Sequence, residues 1–137
     1  MVREIVKDVM VLMRKSETAD KEDLQTARDL LDTLNANKEI CVGLAANMIG
    51  VHKNIIAVQM GMVPVIMINP NIISHSKESY ETEEGCLSLD GVRKTVRWKE
   101  IEVEYSDMFL KKHKNKYRDF TAEIIQHEID HCKGIVI

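Results

Sequence analysis

Gln126–His131 reads QHEIDH and contains the pattern H-E-x-x-H. Histidines four positions apart on a helix project from one face, one turn apart, so His127 and His131 can reach one metal ion. Glu128 is offset by about 100° around the helix, where it can accept a proton from a water molecule without binding the metal itself. The pattern is short, and a helix that holds two histidines without a metal is the alternative.

A catalytic metal site of this kind has three protein ligands and one open position. Only CKGIVI follows His131, and Cys132 points away from the histidine face, so we expect the third ligand upstream. Apart from many carboxylates, the open candidates are Cys41, Cys86, His52, His75 and His113. Cys86 has the most suitable setting, because Gly85 lets the backbone approach closely and a thiolate beside a divalent metal ionises readily. The alternative for Cys86 is an inert buried cysteine.

Two helices are predicted, and the C-terminal one holds this pattern. It runs from about Thr121 to Lys133–Gly134, where a cation at the helix C-terminus precedes a helix-stopping glycine. The other begins at Asp20, a capping residue, and ends in the NANK segment at Asn35–Lys38. Its apolar stripe recurs at helical spacing and consists of Leu24, Ala27, Leu30, Leu31 and Leu34.

The strands are predicted from short apolar or alternating runs. Lys53–Met60 and Met62–Ile68 are apolar runs separated by Gly61, and Glu100–Tyr105 alternates between apolar and acidic residues. The other expectations are a turn at Asn69–Asn71, an exposed polar segment at Lys77–Glu84, a strand at Val92–Val96, a solvated hairpin tip at Lys111–Arg118 and a final strand at Ile135–Ile137. Short strands packed around two helices predict an α+β fold.

The composition limits the class of protein. The 137 residues suit a single domain, residues 1–137, and the net charge of −3 gives no basic footprint of the kind that nucleic-acid binding requires. No window approaches the ~20 apolar residues of a membrane span, and the N-terminus lacks the apolar core of a signal peptide. We therefore expect a cytoplasmic protein. Three cysteines, an odd number, indicate free thiols or a metal thiolate rather than a disulfide framework.

Three motifs in order resemble those of peptide deformylases. The family has G-x-G-L-A-A-x-Q-x-G, E-G-C-L-S and Q-H-E-x-D-H, and this sequence has CVGLAANMIG at Cys41–Gly50, EGCLS at Glu84–Ser88 and QHEIDH at Gln126–His131. The resemblance covers nearly the whole chain. It implies an α+β fold in which antiparallel sheets surround a central helix carrying H-E-x-x-H. It also implies removal of the N-formyl group from the initiator methionine of new polypeptides.

The same resemblance implies roles for residues at matching positions. The metal ligands would be Cys86, His127 and His131, the general base and acid would be Glu128, and the backbone N–H of Leu87 would help to hold the oxyanion. The implied substrate contacts along the cleft are Gly43, Leu44, Glu84 and Gly85. The metal would be Fe²⁺, with Zn²⁺ or Ni²⁺ as alternatives. The implied partner is an N-formylated nascent peptide, with transient ribosome proximity and no direct contact with nucleic acid or membrane.

One departure from the family motifs concerns the chemistry directly. Met48 stands where the motif has a glutamine whose amide donates to the developing oxyanion, and a thioether donates nothing. Loss of one such donor typically costs about 10²–10³ in rate, so we expect a weakened enzyme. Asn47, one position earlier, has an amide that a local shift could present instead. The smaller departures are Cys41 in place of a glycine, which could narrow the cleft, and Leu89 and Asp90 in place of Ile-Pro.

Two other functions stay open. The first is a deformylase-like metal hydrolase that acts on a different formamide or amide, and the second is a non-catalytic relative that binds a metal and peptides. The intact ligand set and Glu128 favour an enzyme, because a relative without activity would lose these residues as readily as the glutamine that Met48 replaces.

Overall fold

The computed structural model describes all residues from Met1 to Ile137. The α-helices are α1 (Val9–Leu12), α2 (Leu24–Ala36) and α3 (Asp119–Cys132). The strands are β1 (Gly43–Ala45), β2 (Ile55–Met60), β3 (Val63–His75), β4 (Ser79–Cys86), β5 (Leu89–Trp98), β6 (Glu100–Ser106) and β7 (Lys112–Arg118). Two short 3₁₀ helices, Lys21–Asp23 and Ala46–Ile49, precede α2 and follow β1.

The strands form two antiparallel sheets. Five strands are ordered β1-β2-β3-β6-β7, and β4 pairs with β5 in a separate two-stranded sheet. β2 and β3 are the hairpin of two apolar runs that the sequence predicts, and Gly61 permits its tight turn with a φ of 62°. α3 packs against β1 and β2 of the larger sheet and against β5 of the smaller one. The predicted α+β fold, with antiparallel sheets around the helix that carries H-E-x-x-H, is confirmed.

The Asn-Pro-Asn segment lies inside β3, so the predicted turn there is wrong. The pairing of β3 with β6 shifts register between Ile68 and Asn71, which marks a bulge. Asn69 adopts a left-handed conformation with a φ of 52°, which asparagine tolerates better than most residues. Its side-chain amide donates to the carbonyl of Ala19 at 2.9 Å and accepts from the N–H of Ala19 at 2.8 Å. These contacts, 50 positions apart in sequence, let the strand continue.

Two polar segments form strands rather than connections. Most of the acidic segment that was predicted to be exposed belongs to β4; Glu81 and Glu83 are exposed as expected, but Glu84 is buried, so that part of the prediction is wrong. The predicted hairpin tip is also wrong, because its residues form β7. β7 pairs with β6 in a register that sets Lys116 opposite Glu102. Cross-strand pairs of opposite charge favour a sheet, and lysines protect an exposed edge from further pairing.

Both predicted helices are present, and the sequence did not predict the short α1. The carboxylate of Asp20 accepts a hydrogen bond from the N–H of Glu22 at 2.9 Å, and the chain makes one 3₁₀ turn before α2 begins. After α3, Gly134 adopts a left-handed φ of 78°. The predicted final strand at Ile135–Ile137 is wrong, because these residues pair with no strand, although Ile137 is buried.

The core is a cluster of 25 buried hydrophobic residues. The predicted stripe of α2 contributes Ala27, Leu30 and Leu34, and α3 contributes Ala122 and Ile125. Because the apolar side of α3 is fixed in this core, the positions of its polar residues are fixed with it. None of the helices has the length and apolar composition that a membrane crossing requires.

Candidate active site

α3 presents its functional residues from a buried position. His127, Glu128 and His131 are all less than a tenth exposed. Gln126 anchors the same turn of the helix, because its side-chain oxygen accepts from the N–H of Trp98 at 2.8 Å and its nitrogen donates to the carbonyl of Trp98 at 2.9 Å. The end of β5 is thereby bonded to the helix one residue before the first histidine. Sequence reasoning gave Gln126 no role beyond its place in the motif.

Three potential ligand atoms converge where β4 ends against α3. The Sγ of Cys86 lies 3.4 Å from Nε2 of His131, which lies 3.1 Å from Nε2 of His127. All three atoms lie within 4.8 Å of one another. A tetrahedral metal with nitrogen ligands at about 2.0–2.1 Å separates two such nitrogens by roughly 3.3 Å. The donor set therefore fits a divalent metal ion with one position left open.

The other candidate ligands do not join this cluster. His52 bonds to a backbone carbonyl, His75 stacks on a tryptophan ring, His113 bonds to an aspartate, and Cys132 lies in the hydrophobic core. Cys41 lies nearer, but its thiol donates to the carbonyl of Gly43 at 3.0 Å. Among the open candidates, the fold brings only Cys86 to the two histidines.

Glu84 lies behind His127 rather than free in the cleft. Its Oε1 accepts from Nδ1 of His127 at 2.7 Å, and both of its oxygens accept from Arg97, at 2.6 and 2.9 Å. Arg97 also donates to Asp130 at 2.5 Å. Burial raises the pKa of Glu84, but the bonds from Arg97 and His127 outweigh it and lower that pKa to about 2. A carboxylate on Nδ1 leaves Nε2 of His127 free to bind a metal.

These contacts alter the expected role of Glu84. The contact with substrate that the resemblance implied stays a prediction: Glu84 lines the cavity, but both of its carboxylate oxygens are engaged inside the protein. Arg97 is 4% exposed and was missed, because nothing in the sequence distinguishes it from the other basic residues of β5. Asp130 was also missed, although its place inside the QHEIDH motif is a signal that could have identified it.

The two histidines differ in their electrostatic surroundings. Burial lowers the pKa of His127, but bonds to Cys86 and Glu84 outweigh it and raise that pKa to about 10. Burial and the charge on His127 lower the pKa of His131 to about 3. Metal binding needs neutral imidazoles and displaces their protons. A cation in the cluster would therefore replace the proton that His127 otherwise holds.

Glu128 faces the same cluster with an unused carboxylate oxygen. It is 4% exposed, and its Oε1 has no hydrogen-bond partner. Burial raises its pKa to about 7, against the opposing effect of the charge on His127. A Cβ atom on Gly43 would lie 2.9 Å from Oε2 of Glu128 and 2.8 Å from Cγ2 of Ile124. The glycine at position 43 therefore makes room for the carboxylate.

A cavity of about 500 Å³ opens in front of these groups. Its wall includes Gly43, Met48, Gly85, Cys86, Leu87 and Glu128. Leu44, an expected substrate contact, is instead fully buried in the core and pairs with Ala57 of β2. A Cβ on Gly85 would meet nothing in the protein closer than 3.7 Å, so no contact within the chain requires a glycine there.

Met48 lines this cavity from the 3₁₀ helix after β1. It is 1% exposed, and its sulfur accepts a hydrogen bond from the N–H of Ala45 at 3.4 Å. The expectation that Asn47 could offer its amide instead is wrong. The Asn47 amide donates to the carbonyl of His131 at 2.9 Å and to that of Leu12 at 3.4 Å. The side chains of Asn47 and Met48 therefore point in different directions. Met48 lines the cavity, whereas Asn47 bonds to α3 outside it.

The chain matches the polypeptide deformylase family over residues 2–137. It belongs to the peptide deformylase family. It is 55% identical over 137 residues to the peptide deformylase of Clostridium beijerinckii. The alignment covers 100% of this chain and 100% of the relative. It is 38% identical to the peptide deformylase of Pseudothermotoga lettingae over 130 residues, 92% of this chain and 74% of the relative.

Solved peptide deformylases share the fold. The Met-Ala-Ser-bound class I type b enzyme of Acinetobacter baumannii is 27% identical, with a TM-score of 0.89 over 99% of this chain and 97% of the other. The enzyme of Thermotoga maritima is also 27% identical, with a TM-score of 0.88 over 99% of this chain and 95% of the other. The predicted family and reaction, a metal-dependent hydrolysis that removes the N-formyl group from nascent peptides, are confirmed.

Proposed function

We propose that residues 1–137 form one deformylase domain in which Cys86, His127 and His131 hold a divalent metal and Glu128 transfers the proton. The observation that carries this proposal is the unpartnered, buried Oε1 of Glu128 beside the three converging ligand atoms. A buried carboxylate without a partner is costly, so it is favourable only where a substrate or a water molecule completes its bonding.

The bound metal would supply Lewis acidity to activate water and to polarise the formyl carbonyl. We propose Fe²⁺ as this ion, as in the family pattern, with Zn²⁺ or Ni²⁺ compatible with one thiolate and two imidazoles. Glu128 accepts the proton of the attacking water and then returns a proton to the leaving amine. The backbone N–H of Leu87, next to the ligand Cys86, donates to the oxygen on which negative charge develops.

The substrate lies as an extended peptide along β1. β1 is the terminal strand of its sheet and pairs only with β2. Main-chain groups alternate in direction along an antiparallel ladder, and the Val42 carbonyl accepts from Gln59 of β2 at 2.8 Å. The N–H and carbonyl of Gly43 therefore point to the open side, where a peptide can add as a further strand. Apolar residues of the cavity, including Ile124 and Phe120, receive the methionine side chain.

The cellular setting follows from this substrate. A formylated N-terminus is produced by translation, so we propose that the protein acts in the cytoplasm, in transient proximity to ribosomes. It needs no nucleic-acid contact of its own, which agrees with a net charge of −3.

Met48 sets the expected rate. Its thioether cannot donate to the oxyanion, and the amide of Asn47 is engaged elsewhere. We propose that the enzyme works about 10²–10³ more slowly than it would with a donor at position 48. The missing donor is also the observation that favours a second candidate function, a non-catalytic relative that binds metal and formylated or free N-termini.

One assay separates these functions. The protein is purified anaerobically with Fe²⁺, and formyl-Met-Ala-Ser is offered to the wild type, Met48→Gln and Glu128→Ala. We expect slow turnover by the wild type, faster turnover by Met48→Gln and none above background by Glu128→Ala. Turnover by Met48→Gln alone would favour the binding relative, and no turnover by any metal-loaded form would reject deformylation. A protein that binds no metal would disprove the ligand assignment.

A further inference from the structure

Cys41 bonds to the strand edge along which the substrate is proposed to lie. It precedes β1, lines the same cavity as Glu128, and its thiol donates to the carbonyl of Gly43 at 3.0 Å. Burial raises the pKa of this thiol to about 12. At neutral pH the sulfur therefore keeps its proton and can act as a donor.

The carbonyl of Gly43, to which the Cys41 thiol donates, is an acceptor on the open side of β1. Val42 faces β2, because its carbonyl accepts from Gln59. Two positions after Gly43 along the alternating ladder, the N–H of Ala45 likewise points away from β2 and donates to Met48. No strand pairs with β1 on this side. A peptide added antiparallel to β1 would donate an N–H to the Gly43 carbonyl.

A second observation places a ligand at this point. Oε1 of Glu128 is unpartnered and buried in the same cavity, and its carboxylate lies so close to Gly43 that a Cβ there would come within 2.9 Å of Oε2. The molecule that completes the bonding of Glu128 therefore lies beside Gly43. A peptide bound there would direct a backbone N–H at the carbonyl oxygen of Gly43, to which the thiol of Cys41 already donates.

We propose that Cys41 is a specificity-determining residue whose thiol competes with the substrate backbone for the carbonyl of Gly43. The competition weakens the binding of peptides that pair with β1 as an additional strand. It does not affect ligands that have no N–H to donate to the carbonyl of Gly43. This inference rests on the proposed function, because it assumes that the cleft receives a formylated or free peptide N-terminus. A carbonyl oxygen has two lone pairs and a thiol is a weak donor, so the competition lowers affinity without abolishing it.

The test compares Cys41→Ala, which removes the donor, with Cys41→Ser, which keeps a donor of similar size. We expect Cys41→Ala to lower the KM for formyl-Met-Ala-Ser about two- to tenfold. The kcat should stay within about twofold, because the bond affects substrate and transition state alike. Cys41→Ser should show a KM equal to or above that of the wild type.

Binding of the product peptide Met-Ala-Ser, measured by calorimetry on the Zn²⁺-loaded protein, gives a readout independent of turnover. We expect the Kd to fall in Cys41→Ala and not in Cys41→Ser, with metal content and circular dichroism unchanged in both. If no form hydrolyses the formyl peptide, the proposed function fails and the Kd values still decide the role of Cys41. Equal Kd values in the three proteins, weaker binding by Cys41→Ala, or no binding by any form overturns the inference.

Discussion

Gly43 lies close to the carboxylate of Glu128 in the wall of the cleft, and the space between them does not hold one more carbon atom. A methyl group on residue 43 would come within 2.9 Å of the carboxylate and 2.8 Å of Ile124. Real Cβ atoms do not approach other heavy atoms this closely, so the side chains of Glu128 and Ile124 would have to move. The carboxylate that we propose transfers the proton therefore has its position because residue 43 on the neighbouring strand has no side chain.

Gly43→Ala is expected to lower kcat about 10²-fold, the scale of loss that a displacement of about 1 Å causes. Metal content should not change, because the atoms nearest to the added methyl group belong to none of the three proposed ligands, Cys86, His127 and His131. The measurement is deformylation of formyl-Met-Ala-Ser together with metal analysis. Gly61→Ala, in an exposed turn with nothing within 4 Å of the added Cβ, is the matched control. An unchanged kcat in Gly43→Ala would contradict the contact.

Glu84 orients His127, one of the proposed metal ligands, through a bond of 2.7 Å to its Nδ1. It is held in turn by Arg97, which is 4% exposed. Glu84→Gln keeps the shape of the side chain and removes the charge that faces Arg97 and the histidine. We expect metal affinity to fall about 10–100-fold, as for other partners of ligating histidines. Competition with a chelator measures the affinity.

The neighbouring Glu83 provides the control for Glu84→Gln. It is exposed and bonds to no ligand, so Glu83→Gln should bind metal as the wild type does. Equal affinity in all three proteins would show that the orientation of His127 does not depend on Glu84.

At the scale of secondary structure, α3 is fixed to its neighbours by side chains that reach their backbones. Gln126 makes a pair of bonds to Trp98 at the end of β5, and Asn47 donates to the helix carbonyl of His131. These amides bond one strand and one 3₁₀ turn to the helix on either side of its functional residues. The helix is thereby held in position in addition to its apolar packing.

Gln126→Ala should lower the free energy of unfolding by about 1–3 kcal/mol, because it leaves two partly buried backbone groups of Trp98 without their side-chain partner. Urea titration followed by circular dichroism measures this change. Gln59→Ala removes an amide that bonds only to the carbonyl of Gly61 in an exposed turn, and its effect should stay within about 0.5 kcal/mol. Equal losses in the two variants would mean that Gln126 does not tether the helix.

At the scale of the whole molecule, the cluster of proposed ligands, Cys86, His127 and His131, joins the two sheets through one helix. Cys86 ends a strand of the smaller sheet, whereas the histidines belong to α3, which packs mainly on the larger one. A metal bound by all three residues would therefore stabilise the arrangement of both sheets. Binding to the folded state alone shifts the folding equilibrium by mass action.

Removal of the metal with a chelator should lower the Tm. At a free metal concentration 100 times the Kd the stabilisation is about 2.7 kcal/mol, which for a domain of 137 residues corresponds to roughly 9 °C. Differential scanning calorimetry with and without chelator measures the shift. Cys86→Ala, which lacks one ligand, should show a much smaller shift, and an equal shift in this variant would exclude Cys86 from the site.

The sequence alone determined the features that depend on neighbouring positions. The spacing of His127, Glu128 and His131 specified one helical face, because helix geometry relates residues four apart. The apolar stripe of α2 and the hairpin around Gly61 followed from local periodicity and a single glycine. Three ordered motifs were enough to suggest the family.

Only the tertiary structure decided which distant groups meet. The resemblance had implied that Cys86 joins the two histidines, but it did not show that Glu84 reaches His127 across 43 positions. The polar residues of β7 became a strand because charged partners on β6 lie opposite them. Asn47 turned towards α3 and Met48 towards the cavity, although the two are adjacent. Such choices depend on packing between segments that are far apart in the chain, and local sequence patterns contain no information about those distances.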